Sequence, residues 1–364
     1  MLSVSILVLL LLGSAWVFAR TALTGHDLSA FDAPRPAPFR GRTAASPEHA
    51  AVEEKVRVLA EGADQRMSRD QRVRLMRENL ERAFGDREVD AEIREVDAGG
   101  VRCEWVLAPG ADPARRLLYL HGGAFMAGSP KSHRPLTARL SADNGAAVLS
   151  VDYRMMPEHR RLDCPADCLT AYEWVLQNGP AGAGAPDALF VAGDSAGGNL
   201  TLVTIAAARD RGLRPADAAA AFAPVTDCTY ASPSMRSNIK TDLILGRMFS
   251  QLMRVPDAVR AWGNFLLMRA WPADPTVSPV FGDLGGLPPV LVQASLSEVL
   301  VDDGIRWVNK ARAAGTDATM QVWPGLVHVF HAFEPALPEA NEALGEVQRF
   351  FESQAPRAVQ SAAS

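Results

Sequence analysis

From Gly85 onward the chain alternates short apolar runs with longer amphipathic ones, and this rhythm limits the folds open to it. The short runs are Val101–Leu107, Leu117–Leu120, Ala146–Val151, Ala188–Ala192, Ala218–Ala223, Pro289–Ala294 and Thr319–Trp323. Helical stretches at Pro165–Gln177, Gly197–Asp210, Asp302–Ala314 and Glu339–Glu352 separate or follow them. Strands alternating with helices of about 10–15 residues form βαβ units, whose crossovers cover a mostly parallel sheet on both faces. The expected fold class is α/β.

Two regions break the rhythm. Between Pro47 and Gly85 the spacing of Val52, Val56 and Leu59, then of Val73, Met76 and Leu80, predicts two amphipathic helices joined near Gly62. Thr226–Ser278 lies between two strand candidates and is too long for an ordinary connection, since loops beyond about 12–15 residues carry structure or function of their own. Its apolar residues, Leu243, Phe249, Trp262 and Trp271 among them, predict helices. The two regions, 47–85 and 226–278, are expected to pack together as a cap over a main domain spanning 47–356. The tail 357–364 is expected to be flexible.

The N-terminus is a separate matter. Leu2–Ala19 carries no charge and is closed by Arg20. About 20 apolar residues span a bilayer, whereas the apolar part of a secretory signal runs about 7–15. The segment 1–20 is therefore expected to be an uncleaved membrane anchor, with a signal cleaved after Val17-Phe18-Ala19 as the alternative. Basic residues follow the segment rather than precede it, so the side of the membrane stays open. Residues 21–46 are expected to be a linker.

Composition excludes several classes. With 37 Lys+Arg against 42 Asp+Glu the net charge is −5, and no basic run offers a nucleic-acid surface. Four cysteines in 364 residues exclude a disulfide-scaffolded mini-domain, and they are read as small buried hydrophobes. No His/Cys spacing suggests a metal and no GxGxxG follows the first strand, so neither metal nor nucleotide cofactor is expected.

The chemistry centres on Gly193-Asp194-Ser195-Ala196-Gly197, which follows one strand candidate and opens a helical run. A GxSxG pattern is weak alone and informative in a strand–turn–helix setting, where the sharp turn exposes the serine hydroxyl above the sheet. A serine hydroxyl needs a base to attack a carbonyl, and donors for the oxyanion that forms. His328, after the last strand candidate, is the candidate base. Glu298, after the preceding strand, is the candidate acid, with Asp302 as competitor; Asp302 is expected instead to cap the next helix. His121-Gly122-Gly123 follows Leu117–Leu120, and the amides of Gly122, Gly123 and Ala196 are the candidate oxyanion donors. His121 is read as anchoring its loop by a side-chain hydrogen bond, His159 with Glu158 as bracing a neighbouring turn, and His133 and His331 as surface or cap residues.

Together HGGAF (121–125), GDSAGGN (193–199), DYRMMPEH (152–159) and the stretch from Ser278-Pro279-Val280-Phe281 to Leu287-Pro288-Pro289 resemble the hormone-sensitive-lipase-like carboxylesterases. The resemblance covers about Pro47 to Phe351. It implies an α/β-hydrolase fold with a helical cap, Ser195 as nucleophile, His328 as base and HGG as oxyanion donors. Two departures stand out. Glu298 occupies the position where the family usually has Asp, and Met155-Met156 replaces a frequent Leu-Ala pair.

The expected function is a serine carboxylesterase acting on short- to medium-chain acyl esters through an acyl-enzyme. An arylacetamide-type amide deacetylase shares these motifs and is the alternative. A noncatalytic hydrolase-fold receptor is disfavoured by the presence of His328. The expected partners are a small-molecule ester and, if the N-terminal segment is retained, a membrane; oligomeric state is left open, a homodimer included.

Overall fold

The alternating runs become one eight-stranded sheet in the computed structural model, which describes residues 2–60 and 67–357. In chain order the strands are β1 (Glu92–Asp97), β2 (Arg102–Leu107), β3 (Asp112–Leu120), β4 (Ala146–Val151), β5 (Ala188–Asp194), β6 (Ala218–Phe222), β7 (Val290–Ser295) and β8 (Ala318–Trp323). Their order across the sheet is β1-β2-β4-β3-β5-β6-β7-β8. The pairs β1–β2 and β2–β4 are antiparallel, and every other neighbouring pair is parallel. The fold class read from the rhythm is the one observed.

Along β4, β5, β6 and β7 every residue is buried, and alternate side chains serve opposite layers. On β4, Ala147, Leu149 and Val151 join a core with helices α5 (Asp163–Val175), α6 (Ala196–Asp210) and α10 (Val301–Ala313). Ala146 and Val148 face the other way, toward α4 (Pro130–Asn144) and α11 (Pro338–Gln354), where Phe351 stacks on Phe190. Burial on both faces explains why these strands read as continuous apolar runs.

Two elements have no counterpart in the apolar pattern. β1, Glu-Ile-Arg-Glu-Val-Asp, is an edge strand with no buried residue, so it carries charges that an edge favours and a core forbids. α4 contains Pro135 and few large apolar residues. It is nucleated by a reciprocal capping box, Ser129 with Ser132, and by Pro130 in its first turn.

Helices α2 (His49–Ala60) and α3 (Arg69–Leu80) precede the sheet, and the long insertion folds into the short helices α7 (Ser234–Ser237) and α8 (Gly246–Leu252) and the longer α9 (Asp257–Met268). The expected junction near Gly62 falls outside the described residues, as does all of the expected tail beyond Arg357.

Residues 21–46 depart from the expected linker. They are strapped along the main domain: Leu28 is buried, Asp32 pairs with Arg306, Phe39 packs on Trp323, and Ser46 donates to Glu339. The apolar anchors are too widely spaced to read as an element, but each finds a complementary site.

The N-terminal segment forms α1 (Leu2–Phe18), continued by a π-helical turn at Ala19–Leu23. Its end is docked on α9: Ala19 and Leu23 are buried beside Ala261, Phe18 stacks on Trp262, and the Trp262 indole donates to the Ala15 carbonyl. At 17 residues, α1 is about 26 Å long against a hydrocarbon core of about 30 Å. No helix among the described residues is long and apolar enough to cross a membrane, so the expected transmembrane anchor is not supported.

Candidate active site

The sharp turn between β5 and α6 depends on its glycines. A Cβ on Gly193 would lie 2.4 Å from the Leu120 carbonyl oxygen, and one on Gly197 would lie 1.8 Å from it. Only glycine therefore lets the turn press against the end of β3. Ser195, between them, has φ 53° and ψ −114°, a strained conformation that costs a side chain of order 1–3 kcal/mol and lifts the hydroxyl out of the sheet.

The Ser195 hydroxyl lies 2.9 Å from His328 Nε2, and His328 Nδ1 lies 2.5 Å from Glu298 Oε2. His328 is presented by the loop after β8, and Glu298 by the loop after β7. The other Glu298 oxygen accepts the Ser295 amide, so the carboxylate is held at both ends. Glu298 is fully buried, and burial pushes its carboxyl up despite the favourable imidazole. Burial also disfavours a charged His328, but the hydrogen bond and charge of Glu298 outweigh it and raise its pKa above the ordinary imidazole range.

Asp302 plays no part in this relay. It lies inside α10, whose N-cap is Leu300, so the expected helix cap is not formed. Its Oδ2 accepts the Ser234 amide and its Oδ1 pairs with Arg35 at 2.7 Å, which ties α10 to the root of the insertion.

The loop expected to supply the oxyanion donors differs from expectation at one residue. The Gly122 amide donates to Asp194 Oδ1 at 3.0 Å, so it is spent on structure. Beyond it Gly123, Ala124 and Phe125 all have positive φ, at 119°, 56° and 60°. Successive amides wound this way form a concavity suited to an anion. Among the described residues no acceptor is paired with the amides of Gly123, Ala124 or Ala196. Ala124 was hidden in the sequence because a paired-glycine motif directs attention to the glycines, whereas the Asp194 bond disposes of the first.

Above Ser195 lies a cavity of about 420 Å³. Its apolar walls come from Val56 of α2, Leu75 and Met76 of α3, Leu243, Met248 of α8, and Phe333. Both regions expected to form a cap thus border the serine.

The remaining histidines differ in burial. His121 bonds the Gly122 carbonyl, stacks on Tyr153, and is held at about 3 by burial. His159 is exposed, and its neighbour Glu158 forms a paired contact with Arg77. His331, expected on the surface or in the cap, is fully buried between Phe222 and Phe330 with Nε2 on Gln293. His133, also expected on the surface or cap, is nearly buried against Asp194. All four cysteines are buried and free.

A mostly parallel sheet with a strained serine between β5 and α6, hydrogen-bonded to a histidine–carboxylate pair from later loops, defines a serine hydrolase of the α/β type. The sequence profile of the alpha/beta hydrolase fold matches residues 117–332. An acetyl-hydrolase of Streptomyces hygroscopicus is 36% identical over 249 residues, 68% of this chain and 79% of that one. A carboxylesterase/phospholipase, LipF, of Mycobacterium tuberculosis is 37% identical over 267 residues, 70% of this chain and 67% of that one. Among solved structures, the esterase EstE5 soaked with p-nitrophenyl butyrate superposes with a TM-score of 0.73 at 33% identity, covering 86% of this chain and all of that one. An esterase of the bacterial hormone-sensitive lipase family gives a TM-score of 0.73 at 32% identity, with the same coverage. The chain belongs to the α/β hydrolases, in their hormone-sensitive-lipase-like carboxylesterase branch.

Proposed function

We propose that the protein hydrolyses short- to medium-chain acyl esters through an acyl-enzyme on Ser195. The observation that carries this reading is the continuous Ser195–His328–Glu298 relay at the floor of an apolar cavity. Unprotonated His328 takes the Ser195 proton as the hydroxyl attacks the acyl carbonyl, while Glu298 fixes the ring and stabilises its charged form. The amides of Gly123, Ala124 and Ala196 receive the oxyanion. His328 then protonates the departing alcohol, and water repeats the sequence on the acyl-serine. A cavity of about 420 Å³ lies within the roughly 300–1,000 Å³ of small-molecule sites, and its aliphatic walls suit the hydrocarbon part of an ester.

A p-nitrophenyl ester series from acetate to laurate, run beside matched anilides, tests this. Turnover of the shorter esters, abolished in Ser195→Ala, is expected. Turnover of anilides with no ester activity would favour the amide deacetylase. The N-terminal segment enters the same proposal as an export-type signal, expected to be absent from the mature chain on intact-mass analysis of secreted protein.

A further inference from the structure

A second, nearly buried histidine–carboxylate pair adjoins the turn that carries Ser195. His133, in the first turn of α4, places Nε2 3.3 Å from Asp194 Oδ1. The same oxygen accepts the Tyr119 hydroxyl at 2.6 Å and the Gly122 amide at 3.0 Å. Asp194 therefore joins the residue before the nucleophile to the residue before the oxyanion amides. The fit is tight: a Cβ on Gly122 would stand 2.1 Å from Asp194 Oδ2.

We propose that His133, in its charged form, is a positioning residue for ester hydrolysis: paired with Asp194, it holds the carboxylate on the Gly122 amide and so sets the Gly123–Ala124 amides at the oxyanion site. The inference rests on the esterase reading above.

The surroundings favour a proton on His133. Asp194 from β5 is nearly buried, yet the imidazole charge and its hydrogen bond overcome burial and hold its carboxyl at about 2. Burial disfavours the charged imidazole, and Asp194, the Ser129 carbonyl and the Glu81 carboxylate together raise its pKa above the usual range. His121, which faces it from the end of β3, is held neutral and does not compete for the proton. Tyr119, also on β3, has its hydroxyl pushed up by burial and by Asp194 and stays protonated. Nδ1 can donate to the Ser129 carbonyl at 3.2 Å when His133 is charged, and can accept from the Ser132 hydroxyl at 3.0 Å when it is neutral. Both states are thus satisfied, and losing the proton weakens the Asp194 bond without breaking it.

An oxyanion interaction strengthens in the transition state, so the effect belongs in kcat and not in KM. The test is the pH profile of kcat and KM on p-nitrophenyl butyrate for the wild type and His133→Gln, with the His133 titration followed by ¹⁵N NMR of the wild type. The expected wild-type kcat falls several-fold at alkaline pH along the His133 titration, with KM steady. His133→Gln is expected to lose about tenfold in kcat and to lose that alkaline limb. A wild-type kcat that stays flat while His133 titrates would overturn the inference even if the variant failed to fold. So would a folded variant with unchanged kcat. Absence of ester turnover by the wild type would instead strike the esterase reading.

Discussion

Two histidine–carboxylate pairs adjoin Ser195 that look alike and are wired differently. In one, Glu298 holds His328, whose other nitrogen faces the serine hydroxyl. In the other, Asp194 holds His133, whose other nitrogen faces a backbone carbonyl and a neighbouring serine. Both imidazoles have raised pKa values for the same reason, a buried carboxylate. Only His328 has the Ser195 hydroxyl, the proposed nucleophile, on its second nitrogen. The partner of that second nitrogen, more than burial or charge, separates a proton carrier from a strut.

Substitutions on the His328 side should break the chemistry outright. Ser195→Ala is expected to lower kcat about 10⁶-fold in ester hydrolysis assays while the protein still binds substrate. Residual turnover within tenfold of wild type would place the nucleophile elsewhere.

Glu298→Gln is expected to cost about 10⁴-fold in kcat, because the amide cannot stabilise the imidazolium. Its pH profile sharpens the comparison. His328 must be neutral to act as base, so wild-type kcat/KM is lost as pH falls through its raised pKa. Removing the carboxylate lets that pKa fall, so the acid limb of E298Q should sit at lower pH than that of the wild type.

On the oxyanion side the losses should be smaller. Gly123→Ala would set a Cβ 2.1 Å from the Ala127 carbonyl oxygen at a φ of +119°, displacing the loop. About a 10²-fold drop in kcat is expected, read with p-nitrophenyl butyrate at saturation.

A third buried carboxylate group has no imidazole, and there the sign of the pH effect reverses. Asp303 accepts the Thr226 and Asp227 amides, and Asp227 faces it with an Oδ2 that has no partner among the described residues. Burial, then the Asp227 charge, pushes Asp303 up to about 7, and burial raises Asp227 as well. Carboxyls with raised native pKa values favour the fold while protonated, so stability declines as pH rises from the unfolded-state value of about 4 through the native ones. Asp227→Asn should raise Tm by about 2–4 °C at pH 8 and little at pH 5, by differential scanning fluorimetry.

Much of this was legible in the chain because the physics is local. Ala146–Val151 reads as a strand because both its faces are buried, and the observed β4 has those bounds. The turn that carries Ser195 reads from Gly193 and Gly197 because backbone crowding forbids any other residue there. What escaped depends on contacts between distant segments. The acid side chain that claims Gly122 belongs to another strand, and His133 acquires its partner only when α4 crosses the end of β5. A charged run such as Glu92–Asp97 becomes a strand because β2 offers it an edge, which its own composition does not announce.

The central claim is that Ser195 is a nucleophile activated by His328. Fluorophosphonate labelling, followed by intact mass and peptide mapping across a pH range, tests it most directly. One adduct on Ser195 is expected, forming faster as pH rises through the His328 titration and suppressed in His328→Ala. A folded protein that stays unlabelled, or that labels at Ser195 at the same rate in His328→Ala, would contradict it.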